Sequence, residues 1–506
     1  MLPEPLRGYS SYREWLEAEE EFKGRVVFAR LLPKAPPRPA PYEGAFAGVL
    51  RALGLTPYLH QQRALKRVEA GANVVLAYPT AAGKSLVYQA PVLQAALEGA
   101  TSLLLFPTKA LAHDQLRRLR AMAQVLGVEG VFPYDGDTPS ATRRQARERG
   151  LVLLSNPDML HYGLLPRHPD WAPFLARLRY VVLDELHAYR GVFGTHVALI
   201  LRRLLRLARH YGASPQVLAA SATIANAREH AEALTGLPFE ELKAQVARTE
   251  RELLVLLPKP LDRRGERRRS PLLEAAYLAR RLAEAGLKGL VFAGARKSAE
   301  LIARYAAHPL VRPYRAGYTA RERRRLEADL KEGRVRVLVS TSALELGVDI
   351  GELDAVVLVG YPGSTAAFWQ RAGRAGRGER RALLVYIPRE DPMDEYFLHR
   401  PALLLESPPE EAVADPQNPV LCPLHLHAAA REKPLLAEEL LCPEARATLK
   451  ERNGRFFTPK RNPHREITLR GLGATFTLRG PAGAGVRPPA ARPAQREAHP
   501  GAIDPH

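Results

Sequence analysis

The stretch Tyr180-Val181-Val182-Leu183-Asp184-Glu185-Leu186-His187 decides the fold: a short apolar run ends on an acidic pair, the pattern of a buried strand that delivers carboxylates where a nucleotide-bound magnesium needs them. Upstream, a second such run from Asn73 to Ala77 is followed by Gly83-Lys84-Ser85. A phosphate-gripping loop and a metal-holding carboxylate on strands of one sheet make the core of an NTPase. Downstream, Gln370-Arg371-Ala372-Gly373-Arg374-Ala375-Gly376-Arg377 supplies arginines in the pattern of a second lobe that completes the site.

Outward from these motifs, the apolar runs NVVLA (73–77), TSLLLF (101–106), LVLLS (151–155), YVVLDE (180–185) and QVLAAS (216–221) alternate with longer amphipathic segments. That alternation is the signature of a parallel sheet covered by helices. A second series follows in GLVFA (289–293), RVLVST (336–341), AVVLVG (355–360) and RALLVYI (381–387). The expected fold class is α/β, with two tandem parallel-sheet lobes and a mainly helical C-terminal extension. Residues 1–45 read as an N-terminal arm, a short helical piece and the proline-rich KAPPRPAPYEG lying over the first lobe. The first lobe is set at 46–257 and the second at 272–389. Between them, residues 258–271 carry Arg263, Arg264, Arg267, Arg268 and Arg269 and read as a solvated linker. Residues 390–475 are expected to form a mainly helical accessory unit, with a winged helix as one form of it, and 476–506 a disordered tail.

A chain of 506 residues is too long for one core, and its 46% hydrophobic share supports globular folding through most of its length. Lys+Arg 74 against Asp+Glu 54 gives a net charge of +20, which favours a polyanionic partner without excluding a merely basic protein. With Cys422 and Cys442 as its two cysteines, the sequence has no disulfide framework and points to a reducing compartment. Acidic residues stand where a signal peptide needs an apolar stretch, and no segment is apolar enough to span a bilayer, so a cytoplasmic location and no membrane partner are expected.

The loop from Tyr78 to Ser85 departs from the strict G-x-x-x-x-G-K-[ST] pattern, because Tyr78 takes the first glycine position. Its remaining parts serve the same chemistry. Backbone amides of Thr80, Ala81, Ala82 and Gly83 cradle phosphates, Lys84 neutralises their oxygens, and Ser85 offers a hydroxyl to magnesium. Asp184 is expected to hold the metal and Glu185 to polarise the attacking water. Gln61 precedes the loop at a distance that suits its amide to adenine's N6/N7 edge, although alone it reads as a surface residue. Arg374 and Arg377, three apart, would share a helical face and reach the γ-phosphate as arginine fingers, whereas Arg371 suits a structural salt bridge. Ser221-Ala222-Thr223 at a strand end offers hydroxyls to connect the carboxylates with the second lobe.

The ordered set PTAAGKS, PTKAL (107–111), SNPDML (155–160), DELH, SAT, LVFAGAR (290–296), STSALELGVDIG (340–351) and QRAGRAGR resembles the superfamily 2 DExH-box helicases. More narrowly, YDGDTP (134–139), DELHAYRGVFGTHVA (184–198), ASATIAN (220–226), GYPG and FWQRAGRAGR resemble the bacterial YprA/MrfA group, DNA helicases associated with repair of mitomycin-type damage. The resemblance runs from about residue 25 to about 475. It implies RecA-like lobes, ATP and Mg2+ as cofactors, and 3′→5′ movement on single-stranded or tailed duplex DNA, with a repair nuclease as a further partner. It also implies that Pro107, Thr108, Lys109, Asn156 and Pro157 touch the strand backbone from the first lobe, as Arg296 and Thr341 do from the second. Gly347 and Asp349 would lie near the ribose, and Gln370 near the γ-phosphate. Backbone contacts carry no base information, so sequence-independent binding is expected.

Pro79 and Ala82 stand where relatives have glycine and serine. The group also continues into a C-terminal domain with a four-cysteine zinc site, whereas this sequence ends at Asp504-Pro505-His506. A truncated C-terminal region, weak unwinding and no zinc are therefore expected. Cys422, His425, His427 and Cys442 lack a usual zinc spacing and read as core thiols and core or solvent histidines. Competing with a DNA helicase are an RNA helicase or non-unwinding translocase, and a nucleic-acid clamp whose ATPase has decayed.

Overall fold

Continuous apolar runs, buried on both faces, favour parallel strands between helical layers. The computed structural model describes residues 1–470 other than 80, 81, 223, 263, 265, 266, 316, 346–349 and 377. The chain enters through β1 (Val26–Leu32) and then builds a first sheet from β2 (Val74–Ala77), β3 (Thr101–Leu105), β4 (Val131–Tyr134), β5 (Val152–Ser155), β6 (Leu178–Leu183), β7 (Gln216–Ser221) and β8 (Glu240–Lys243). Their order across the sheet is β4-β5-β3-β6-β7-β2-β8, and every pair is parallel. The second sheet takes β9 (Arg251–Leu256), β10 (Gly289–Phe292), β11 (Val311–Tyr314), β12 (Val337–Ser340), β13 (Ala355–Val359) and β14 (Ala382–Ile387) in the order β1-β9-β14-β13-β10-β12-β11. Five helices carry the later argument: α1 (Lys84–Leu97), α2 (Lys109–Val125), α3 (Gly191–His210), α4 (Thr365–Ala372) and α5 (Leu421–Glu432). The two expected α/β lobes and the helical C-terminal region are thus present.

The N-terminal arm is divided: its proline-rich part lies on the first lobe as expected, with Tyr42 in that lobe's core and the Leu59 N–H donating to the Arg38 carbonyl at 2.8 Å, whereas the residues before it join the second lobe. Strand β1 pairs antiparallel with β9 at the edge of the second sheet, with Arg30 opposite Leu253. Tyr12, Trp15 and Leu16 pack into the same core as Leu254, Leu256 and Val291. An open edge on β9 exposes unpaired backbone groups, and β1 covers it. Strand β9 also belongs to the second lobe, so the crossing between lobes precedes the arginine run rather than coinciding with it. That run is only partly solvated, since Arg269 is ion-paired with Glu21 and buried Glu274, and Arg268 with Glu395. The expected tail over 476–506 lies outside the described residues, and among those described no helix is long and apolar enough to cross a membrane.

Cys422 and Cys442 are a disulfide with Cα atoms 6.3 Å apart, not the expected free thiols. After α5 the chain doubles back and brings Cys442 against the first turn of that helix, a proximity that no spacing rule in the sequence shows. Helix α5 lies against α3 of the first lobe, and a buried cation joins them. Arg203 is ion-paired with Glu432 and donates from Nη1 to His161 Nδ1 at 3.0 Å and His425 Nδ1 at 3.1 Å. Because both rings accept at Nδ1, their Nε2–H groups are left to donate, from His161 to the His464 carbonyl at 2.9 Å and from His425 to His196 Nδ1 at 2.9 Å. His464 Nε2 completes the set on Glu432 Oε1 at 2.9 Å. The bonds accepted at Nδ1 require neutral His161, His196 and His425. Burial pushes their pKa values down, to about 3 for His161 and about 4 for His196.

Removing Glu432 leaves the Arg203 charge buried without its partner, so Glu432→Ala should destabilise the fold by about 3–5 kcal/mol in thermal or denaturant unfolding. Acid should act on the same contact. Each imidazole is neutral when docked and takes up a proton near its ordinary 6.5 when released, so stability is complete above that pH and falls as pH drops toward 4. Hydrogen exchange in α5 should quicken between pH 6.5 and 4; exchange independent of pH, after correction for the intrinsic rate, would contradict the assignment.

Candidate functional site

Strands β6, β7 and β2 are adjacent, so Asp184-Glu185, Ser221-Ala222 and Gly83-Lys84-Ser85 converge at one rim of the first sheet. The ladder runs one residue past β6, where the Asp184 N–H donates to the Leu105 carbonyl at 3.0 Å. That bond pins the carboxylate at the rim. Asp184 is 6% exposed, and its oxygens accept the Tyr88 hydroxyl at 2.9 Å and the Glu185 N–H at 2.8 Å. Burial, and after it the neighbouring Glu185 charge, push the Asp184 carboxyl above the usual range, while Lys84 pulls it down. Glu185 has φ 50°, a left-handed conformation that persists in a non-glycine residue only when its surroundings over-determine it.

Gly83 caps the start of α1 at φ 76°, and a Cβ there would sit 2.4 Å from Gln61 Nε2. The positive φ favours glycine, and any side chain there would displace the Gln61 amide. Lys84 Nζ donates to the Tyr78 carbonyl at 3.3 Å and the Ser221 carbonyl at 3.1 Å, spanning the loop and the end of β7. Gln61 is buried rather than at the surface. Its Nε2 donates to the Gly83 carbonyl at 2.8 Å and its Oε1 accepts the Tyr58 N–H at 2.7 Å, so in this geometry it braces the phosphate loop instead of presenting its amide to a base. Thr80 and Ala81 lie outside the described residues, as do Thr223, Gly347, Asp349 and Arg377.

His187 ties the acidic motif to its neighbours. Its Nδ1 accepts the Ala222 N–H at 3.1 Å, its Nε2 lies 3.5 Å from Glu185 Oε2, and the Gln370 side chain reaches it from the second lobe. Burial first, then the Lys84 and Arg190 charges, push its pKa down to about 3. The ring is neutral.

From the second lobe, Gln370 and Arg374 are 7% and 2% exposed and line, with Lys84, Asp184, Glu185 and Arg248, a cleft of about 310 Å3. The helical face expected for Arg374 is not there. Helix α4 ends at Ala372, and the turn beyond it carries Arg374, whose Nη2 donates to the Glu345 carbonyl at 2.9 Å. Glycine at 373 and 376 makes that early end physically reasonable. Arg371 makes the expected structural pair, with Glu345 at 2.9 Å.

The other candidates follow strand ends as well. Thr108 caps α2, accepting the Leu111 N–H at 3.4 Å, next to Pro107, and Lys109 pairs with Asp137 at 2.8 Å. Asn156 is buried and caps the turn that begins at Pro157. Arg296 is exposed at the start of a helix after β10, and Thr341 follows β12. All occupy the carboxyl edges of the two sheets, the usual ligand edge of open α/β folds. Sequence reasoning missed Tyr88, Arg248 and Glu345. Tyr88 stands three residues after Ser85 on α1, a spacing that signals a shared face; Arg248 lies in the interlobe crossing, where no motif pointed to it.

Residues 58–231 match the DEAD/DEAH box helicase family and residues 273–379 the helicase conserved C-terminal domain. The chain belongs to the DEAD/DEAH box helicases. It is 40% identical over 448 residues to the ATP-dependent helicase YprA of Bacillus subtilis, covering 86% of this chain and 58% of that protein. It is 36% identical over 399 residues to the ATP-dependent helicase hrq1 of Schizosaccharomyces pombe, covering 75% and 38%. A crystal structure of the DUF1998 helicase MrfA bound to DNA and AMPPNP superposes with a TM-score of 0.81 at 36% identity, over 88% of this chain and 66% of that one. These likenesses agree with the YprA/MrfA group, and the chain spans less than two thirds of each relative's length.

Proposed function

We propose that this chain is a cytoplasmic ATP-driven DNA helicase or translocase, moving 3′→5′ in DNA repair and working with a repair nuclease. The observation that carries the reading is one cleft shared by Lys84, Asp184 and Glu185 of the first lobe and Gln370 and Arg374 of the second. Its relatives' names, and the DNA and AMPPNP bound to MrfA, support the choice of polymer and nucleotide.

Residues of the cleft divide the work of phosphoryl transfer. Lys84 turns from the Tyr78 and Ser221 carbonyls to the β- and γ-phosphate oxygens. Ser85 and Asp184 suit Mg2+, because both offer hard oxygen donors and the crowded Asp184 and Glu185 carboxylates favour a divalent cation. When bound, that ion would neutralise phosphate charge. Glu185 takes the proton of the attacking water, and the neutral His187 beside it leaves the carboxylate unpaired by charge. Arg374 meets transition-state charge from the opposite lobe, so hydrolysis depends on lobe closure. Pro107, Thr108, Lys109, Asn156, Pro157, Arg296 and Thr341 are proposed to follow the DNA backbone along the two sheet edges.

ATPase rates measured with single-stranded DNA, with RNA and without polymer test this reading; stimulation by DNA is expected. Stimulation by RNA alone would replace DNA as the track, and no hydrolysis at all would leave a binding clamp. Glu185→Gln should still bind ATP but hydrolyse it on the order of 10²- to 10⁴-fold more slowly, whereas Lys84→Ala should lose productive binding. Arg374→Ala should keep DNA affinity while hydrolysis falls by about 10³- to 10⁵-fold. Lost DNA affinity with retained basal turnover would move Arg374 to the nucleic-acid groove.

A further inference from the structure

After Leu404, which lies in the second lobe's core, the chain crosses to the first lobe, whose core holds Ala412. Two consecutive attachments bracket the crossing. On the second lobe, the Glu410 carboxylate accepts the N–H groups of Thr365 at 2.5 Å and Ala366 at 3.0 Å, the first two residues of α4, while Ser364 Oγ accepts from Ala367 at 3.0 Å. Three amides that a helix leaves unpaired at its start are thereby satisfied, two of them by an anion at the positive end of the helix. On the first lobe, the Asn226 amide pairs with both backbone groups of Ala412, each at 2.9 Å, and the Ala225 N–H donates to the Glu410 carbonyl at 3.3 Å. Farther on, the Gly191 N–H donates to the Val413 carbonyl at 2.7 Å, and the Asp415 N–H to Thr195 Oγ1 at 3.0 Å.

We propose that Glu410 is a positioning residue that fastens α4 to the segment following β7, holding Gln370 and Arg374 at the nucleotide cleft. The two attachments lie two positions apart in the chain, a reach of about 7 Å. A helix of α4's length transmits a shift at its start directly to Gln370, five residues on, and misplacement by about 1 Å is enough to cost a large factor in rate. Asn226 lies just beyond Ser221-Ala222, whose backbone contacts Lys84 and His187, so the strap joins the polar groups of both lobes. This inference rests on the ATP-hydrolysis reading above.

The test is steady-state ATPase with saturating single-stranded DNA for wild type, Glu410→Ala, Glu410→Gln, Asn226→Ala and the double alanine variant, with DNA affinity and unfolding temperature measured alongside. Glu410→Ala should lower kcat roughly ten- to a hundredfold, with KM for ATP, DNA affinity and unfolding temperature little changed. Glu410→Gln keeps an acceptor for the Thr365 amide and should recover part of the rate. Asn226→Ala should also lower kcat, and the double variant should fall no further than the worse single one, because both act through one strap. An unchanged kcat in Glu410→Ala, or losses that simply multiply in the double variant, would overturn the inference while leaving the helicase reading standing. Wild type without polymer-stimulated hydrolysis would instead defeat that reading, and this inference with it.

Discussion

The hydrogen-bonded ladder that seats β6 between β3 and β7 sets the height of the first lobe's groups in the cleft. Its last rung, from the Asp184 N–H to the Leu105 carbonyl, leaves the carboxylate at the rim with no slack along the strand. Neighbouring β7 ends at Ser221, whose carbonyl receives Lys84, and β2 beyond it feeds the loop that carries that lysine. A slip of one residue in this register would turn Asp184 to the opposite face of the sheet and bury an unpaired charge.

Around that anchor, burial sorts the titratable groups. Burial first, then the adjacent Glu185 charge, keeps the Asp184 carboxyl above its usual range against the pull of Lys84. His187 is held neutral by the same burial, accepts the Ala222 N–H at Nδ1 and stands beside Glu185. Arg374, nearly inaccessible, approaches from a turn rather than a helix, and the carbonyl of Glu345 fixes its guanidinium.

The segment beyond the second lobe is built into the first. Neutral histidines around the Arg203–Glu432 pair and the strap from Glu410 to Asp415 tie it to α3 and to the turn after β7, while the Cys422–Cys442 bond closes the segment on itself. Covering β9 with β1 and covering α3 with α5 are the same solution to one problem: a small parallel lobe leaves an edge and a helix face that must be buried elsewhere in the chain.

By itself, the sequence determined what local chemistry determines. Apolar runs such as 180–183 and 355–359 revealed nine of the central strands, because parallel strands buried on both faces read as uninterrupted apolar segments. Gly83-Lys84-Ser85 and Asp184-Glu185 were legible because phosphate and metal chemistry favours those residue types beside strand ends, whereas Gln370 came only through the resemblance to the helicases. Weaker signals failed. Strand β1 alternates poorly, β4 and β11 each contain a proline, and β8 is the charged Glu240–Lys243, so only pairing with neighbours defines them. Tertiary structure alone decided that residues 1–32 serve the second lobe, that Gln61 spends its amide on the loop, that Arg374 lies beyond its helix, and that Cys422 meets Cys442. Each of these depends on which group elsewhere in the chain is brought within bonding reach, a proximity the order of residues does not encode.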